Sequence, residues 1–142
     1  MASIHPYIHF NGNAEEAFAF YKSVFGGEFS KTMRYKEISS AEFPIPESDA
    51  NRIMHIALPI DNTSQLLGSD VMEMMGKVNE SDNRSSIFLS APNREDADKL
   101  FAGLSAGGKI QMPMTDGPLG SYFGMLSDRY GVQWMVEFTT PT

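Results

Sequence analysis

Three histidines, a Ser-Asp pair closing one strand-like run and a glutamate near the C-terminal end carry most of the chemistry this chain offers. Cysteine is absent, which removes thiolate nucleophiles, thiolate metal sites and disulfides. His55 lies in the strand-like run Arg52 to Ile60. Met54, Ile56 and Leu58 share one parity of that run, and His55 with Ala57 takes the other. A histidine on the side opposite the apolar one, looking into a concavity, serves as a general base or as a hydrogen-bond donor to a ligand. Its other reading is a half-buried strand histidine satisfied by a backbone carbonyl. Asp70 and Glu137 each either orient a ligand or sit at a solvated strand end. His5 and His9 read as surface and outer-face residues. Ser69, beside Asp70, lacks the base and the elbow of an activated serine, so acyl transfer is not expected.

The elements that must position these residues are announced by one helix and its echo. In Asn13–Gly27 the apolar residues Ala14, Ala17, Phe18, Tyr21, Val24 and Phe25 fall on one helical face. Asn13 supplies an N-cap oxygen, Glu16 follows three residues later as in a capping box, and Gly26 or Gly27 ends the helix. The same grammar returns in Asn93–Gly108, with Asp96, Ala97, Leu100, Phe101 and Leu104. The pairs Asn13/Asn93, Glu16/Asp96, Ala17/Ala97, Tyr21/Phe101 and Val24/Leu104 all stand 80 positions apart. Strand-like runs precede both helices, at Tyr7–Phe10 and Ile87–Ser90, and the match predicts an internal repeat.

Further strands are predicted over about Glu28–Lys36, Arg52–Ile60 and Gln65–Asp70, and then over about Lys109–Met114, Tyr122–Leu126 and Val132–Phe138. The polar stretch Glu37–Asn51, with Pro44 and Pro46, is predicted to be a long mobile loop. Each half therefore reads strand, helix, strand, strand, strand. The expected fold class is α+β: two βαβββ modules in tandem, with curved, mainly antiparallel sheets whose open faces form a ligand-holding concavity. The expected division is a first module at residues 5–70, a linker at 71–84 and a second module at 85–139, within one domain spanning 1–142.

A chain of 142 residues with 42% hydrophobic content is enough for a packed core. A formal net charge of −7 and no Lys/Arg cluster argue against nucleic acid as a partner. No run approaches the length of a membrane span, and the N-terminal stretch lacks the basic start and apolar run of a signal peptide. A cytoplasmic location with no membrane partner is the expectation. The ten methionines read first as adaptable core filler and second as a binding surface.

Two βαβββ modules in a chain of this size resemble the vicinal oxygen chelate superfamily, which includes glyoxalase I, bleomycin-resistance proteins, fosfomycin-resistance enzymes and extradiol dioxygenases. The wording is similar to its PhnB-like branch in Tyr7–Ala17, Phe20–Gly27, His55–Leu58, Leu67–Asp70 and Asp128–Met135. One departure is Gly117-Pro118-Leu119-Gly120, on one wall of the expected pocket, where the branch usually carries an aromatic pair ending in Trp. Members of the branch are often labelled methyltransferase-like, but no glycine-rich turn after a parallel strand stands here to hold a methyl donor.

The resemblance implies a homodimer and, in metal-dependent members, four inward His, Gln or Glu ligands. Carried over by motif and by the repeat, those positions are Pro6, Gly68, Ser86 and Met135, none of which is a competent ligand for a divalent cation. The leading expectation is therefore a protein that binds a small apolar or amphipathic molecule in a concave pocket without metal or other cofactor, its reaction unknown. The expected lining is Ile8, Phe10, His55, Ser86, Phe88, Gln133 and Met135, with His55, Asp70 and Glu137 as catalytic candidates. The alternatives are a metal-dependent lyase, isomerase or dioxygenase of the same superfamily, and a structural module with no ligand.

Overall fold

A computed structural model of the chain describes residues 3–139. Each half builds one four-stranded sheet with one helix on it. The first half runs β1 (Tyr7–Phe10), α1 (Ala14–Phe25), β2 (Lys31–Arg34), β3 (Ile53–Pro59) and β4 (Gln65–Asp70). The second runs β5 (Ile87–Ser90), α2 (Arg94–Ser105), β6 (Lys109–Asp116), β7 (Ser121–Ser127) and β8 (Gln133–Thr139). The sheets share one topology, β1-β4-β3-β2 and β5-β8-β7-β6. β1/β4 and β5/β8 pair in parallel and the remaining neighbours antiparallel. A parallel pair needs a crossover. In each half the helix and its following hairpin supply it. This is the tandem βαβββ architecture, an α+β fold. One compact unit ends at Val78 and the other begins at Asn79.

In the first unit α1 lays Ala14, Ala17, Phe18 and Tyr21 on the sheet, all fully buried with Ile56, Leu58 and Leu66. Phe18 is the hinge of this packing, meeting Phe10 and Tyr21 edge-on at centroid distances of 6.0 and 5.5 Å. Such pairs add to simple area burial. Gly68 makes room for it, since a Cβ there would fall 2.6 Å from Phe18 Cε1. The second unit repeats the device: a Cβ on Gly124 would stand 2.8 Å from Phe101 Cε2. Its core holds Ala97, Phe101, Leu104, Leu126, Trp134 and Val136. The Trp134 indole donates to Asp128 Oδ2 at 2.9 Å, which removes the penalty of burying that N–H.

The cap of α2 follows the sequence: Asn93 Oδ1 accepts from the Asp96 amide at 2.7 Å. The cap of α1 does not. Asn13 makes no capping hydrogen bond, and its Oδ1 is buried without a partner among the described residues. Asp70 reaches across from β4 instead, taking Gly12 and Ala14 amides on Oδ1 at 3.0 and 2.9 Å.

Two segments differ from expectation. Residues 37–51 are not a free loop. Tyr35 and Lys36 amides donate to Arg52 and Ala50 carbonyls at 3.1 and 2.9 Å, two 3-10 turns shape the path, and Asp49 is buried inside it. The first part of the stretch read as linker is also held by the first unit. Val71 donates to the Phe10 carbonyl at 2.9 Å, and Asn11 grips both backbone groups of Val78 at 2.7 and 3.2 Å.

Candidate functional site

Strand register decides which side chains face α1 and which face away. Ile56 pairs Gly68, and Gly68 pairs Ile8, so these stand on the helix side with Phe18. One residue on, Ala57 pairs Leu67 and Leu67 pairs Tyr7, while His9 pairs Ser69. Tyr7, His9, Leu67, Ser69 and His55 therefore share the face turned away from α1.

On that face the polar side chains gather. The Tyr7 ring lies between the histidines, 5.1 Å from the His9 ring and 5.8 Å from that of His55. Ser69 Oγ stands 3.4 Å from His9 Nδ1, an interaction in which either atom donates according to the tautomer. Beside them opens a cleft of about 320 Å³, bounded by His9, Ser69, Tyr35 and the segment Val71–Val78. The Tyr35 hydroxyl donates to the Asp70 carbonyl at 2.8 Å. Burial pushes this phenol above its ordinary value, and the neighbouring Tyr7, Asp70 and Asp49 add to the shift, so Tyr35 stays a neutral donor at neutral pH.

The placement of the expected residues divides them. His55 lies on the open face of its sheet beside Tyr7. Ile8 and Phe10 do not line an open face. Phe10 is 3% exposed and packs on Phe18, and Ile8 is on the same side. Asp70 is a buried structural carboxylate, 2% exposed; besides its two bonds to the α1 turn it takes the Ile53 amide on Oδ2 at 2.9 Å. It ties the starts of α1 and β3 to the end of β4. In the second unit Phe88 pairs Met135, and Trp134 pairs Ile87. Phe88 and Met135 thus stand opposite the buried Trp134 and Val136, away from α2. Gln133 shares their face and bonds Gln111 and Ser127 at 2.9 Å each. Glu137 accepts from the Thr139 hydroxyl at 2.8 Å, and Ser86 is exposed just before β5.

His9 and Tyr7 are the residues the sequence reading missed. His9 was expected on the outer face, and Ser69 was expected to lack a base, yet the two meet. The signal was present in the chain. Phe10 is an apolar strand end leading into an apolar helix, so it claims the core and turns His9 the other way.

The carried-over metal positions also move. Gly68 points under Phe18 on the helix side, whereas Met135 faces away from its helix, so the two cannot be equivalent. The residues flanking Pro6 and Gly68 in the chain are His5, Tyr7, Leu67 and Ser69, which bring one imidazole and no carboxylate. In the second unit, Ser86 and Met135 offer a hydroxyl and a thioether, neither an imidazole nor a carboxylate. Among the described residues no three His, Cys, Asp or Glu side chains gather as a metal would need. The donor set does not fit a divalent cation held by converging imidazole and carboxylate groups.

Paired βαβββ units with this sheet order define a class, and residues 3–136 match the model of the Glyoxalase/Bleomycin resistance protein/Dioxygenase superfamily. The chain belongs to that superfamily. Among its relatives, protein PA1353 from Pseudomonas aeruginosa is 33% identical, with a TM-score of 0.83 over 99% of this chain and 100% of that one. The PhnB protein from Bacillus cereus is 26% identical, with a TM-score of 0.71 over 97% and 100% of the two chains. Protein YjdN of Escherichia coli K12 is 29% identical over 93% of this chain and 92% of its own length. Among the described residues no helix is long and apolar enough to cross a membrane.

Proposed function

We propose that this chain is a PhnB-like small-molecule-binding member of its superfamily, using the open face of its first module. The observation that supports this is the gathering of Tyr7, His9, His55 and Ser69 beside a cleft of about 320 Å³, within the size range of small-ligand sites. Apolar walls with a few convergent polar groups are what such sites offer. His9 and His55 supply ring nitrogens that donate or accept hydrogen bonds. No metal is required by these residues, and binding is proposed to proceed without one. The reaction, where there is one, is proton transfer or polarisation by these side chains.

The protein is further proposed to act as a cytoplasmic homodimer. Tyr7 and Phe88, 42% and 55% exposed on the open faces of their respective sheets, are large aromatic surfaces of the kind partners cover. Sedimentation equilibrium at tens of micromolar should give twice the chain mass; a monomer would contradict the dimer.

The binding reading is tested by a thermal-shift screen of small amphipathic molecules, because a ligand of the folded state raises the melting temperature. Hits should lose at least about five-fold in affinity in His9→Ala, as expected when a polar ligand group loses its hydrogen-bond partner. Titration with nickel, zinc or manganese should show no site that depends on a histidine. A micromolar metal site lost in His55→Ala would favour metal-dependent chemistry instead.

A further inference from the structure

The cleft beside His9 carries one cation without an ion-pair partner among the described residues. The molecule carries a formal net charge of −7, yet Lys77 lines this cleft and makes no ion pair among the described residues. Asp70 also borders it, but the Asp70 carboxylate is filled by the Gly12, Ala14 and Ile53 amides, and what meets Tyr35 is its main-chain carbonyl. Two other acids nearby, Asp49 and Glu73, share Arg52 at 3.8 and 3.9 Å and so engage it rather than Lys77. His9 engages Ser69 through Nδ1, which leaves Nε2 for a ligand.

The facing wall is apolar and fixed at both ends. Val71, Met75 and Val78 form it. At one end Arg52 Nη1 donates to the Val71 carbonyl at 2.9 Å; at the other Asn11 pairs with both backbone groups of Val78. Met75 between them is unbranched and adapts to flat apolar shapes.

We infer that the cleft takes a small amphipathic monoanion, with a flat apolar body against Val71, Met75 and Val78 and a carboxylate toward Lys77. The inference rests on the reading of this cleft as the ligand site and narrows it to a chemical class. A carboxylate meeting an unpaired ammonium gains a charge-assisted hydrogen bond that a neutral amide of the same shape does not.

The test is isothermal titration of the full chain, at low salt, with naphthoate and with its neutral isostere naphthamide. The acid should bind at least about ten-fold tighter than the amide, the scale of one charged hydrogen bond. Lys77→Met should bring the acid down to the amide's affinity and leave the amide unchanged. Met75→Glu, at a residue 68% exposed and so safe for folding, should weaken both probes and the acid more, because it removes an apolar contact from both and adds a charge that repels only the acid. Equal binding of acid and amide overturns the anion preference while the cleft remains a binding site. An acid preference that survives Lys77→Met also overturns the inference, because the charge is then read elsewhere. Binding of neither probe overturns the inference and the cleft reading together.

Discussion

Asp70 shows how a residue with a catalytic look is consumed by structure. Its two oxygens receive three buried or half-buried amides, so the carboxylate is engaged in holding the fold. Asp70→Asn keeps the shape but turns an N–H toward one of those amides. It should destabilise the protein by about 1–3 kcal/mol, the cost of an unsatisfied buried donor, as read by urea unfolding. Ligand affinity measured well below the midpoint should stay near that of the parent. A large loss of binding with unchanged stability would return Asp70 to the site. The histidines divide differently: His9 and His55 flank Tyr7 on one face, whereas His5 Nδ1 accepts from the Gln65 amide at 3.2 Å, away from the cleft.

At the scale of the element, the sequence carried the helices and strands well and their faces less well. The helices repeat at 80 positions because caps and apolar stripes are local signals. The strands before them do not keep that offset. Phe10 is buried at the end of β1, while Ser90, 80 positions on, is exposed and Ala91 is the buried one. One residue of difference in the turn inverts every side chain on a strand. Carrying the helical offset into the strands therefore placed Ile8 and Phe10 in a pocket and sent His9 outside. The Asp70 cap was illegible for another reason: its partners lie more than fifty positions away in the chain, and no local pattern records them.

Two elements give sharp tests. Gly68→Ala puts a methyl against Phe18 and should cost about 1–3 kcal/mol by overpacking, with part recovered in the double variant Gly68→Ala, Phe18→Leu; no recovery would mean that the contact is misplaced. The Arg34 guanidinium, hydrogen-bonded to Glu15 at 2.7 Å, holds that carboxyl below its ordinary range. A depressed carboxyl stabilises the fold above its unfolded pKa, about 4.3 for glutamate, and loses that contribution as pH falls through the folded value. The pair is exposed, so the effect is small and salt-sensitive. Glu15→Gln should therefore lower stability slightly at pH 7 and leave it nearly unchanged at pH below the folded value, which flattens this part of the acid limb.

At the scale of the whole molecule, one sheet-and-helix plan is used twice with different chemistry on the open face. The first unit presents histidines, tyrosine and serine; the second presents Phe88 and Met135 with a Gln111–Gln133–Ser127 amide network. The repeated plan keeps the scaffold, and divergence of one face puts histidines on the first half alone, the half proposed to hold the ligand. That assignment is tested most directly by the histidine rings themselves, since the chain has only three. In the NMR spectrum of protein labelled at histidine, titration with naphthoate or naphthamide should move His9 most and His55 less, through Tyr7. Both should report one dissociation constant, and His5 should stay still. Saturable binding that leaves His9 and His55 unmoved, or that moves His5 alone, would contradict the placement of the ligand on the first module's open face.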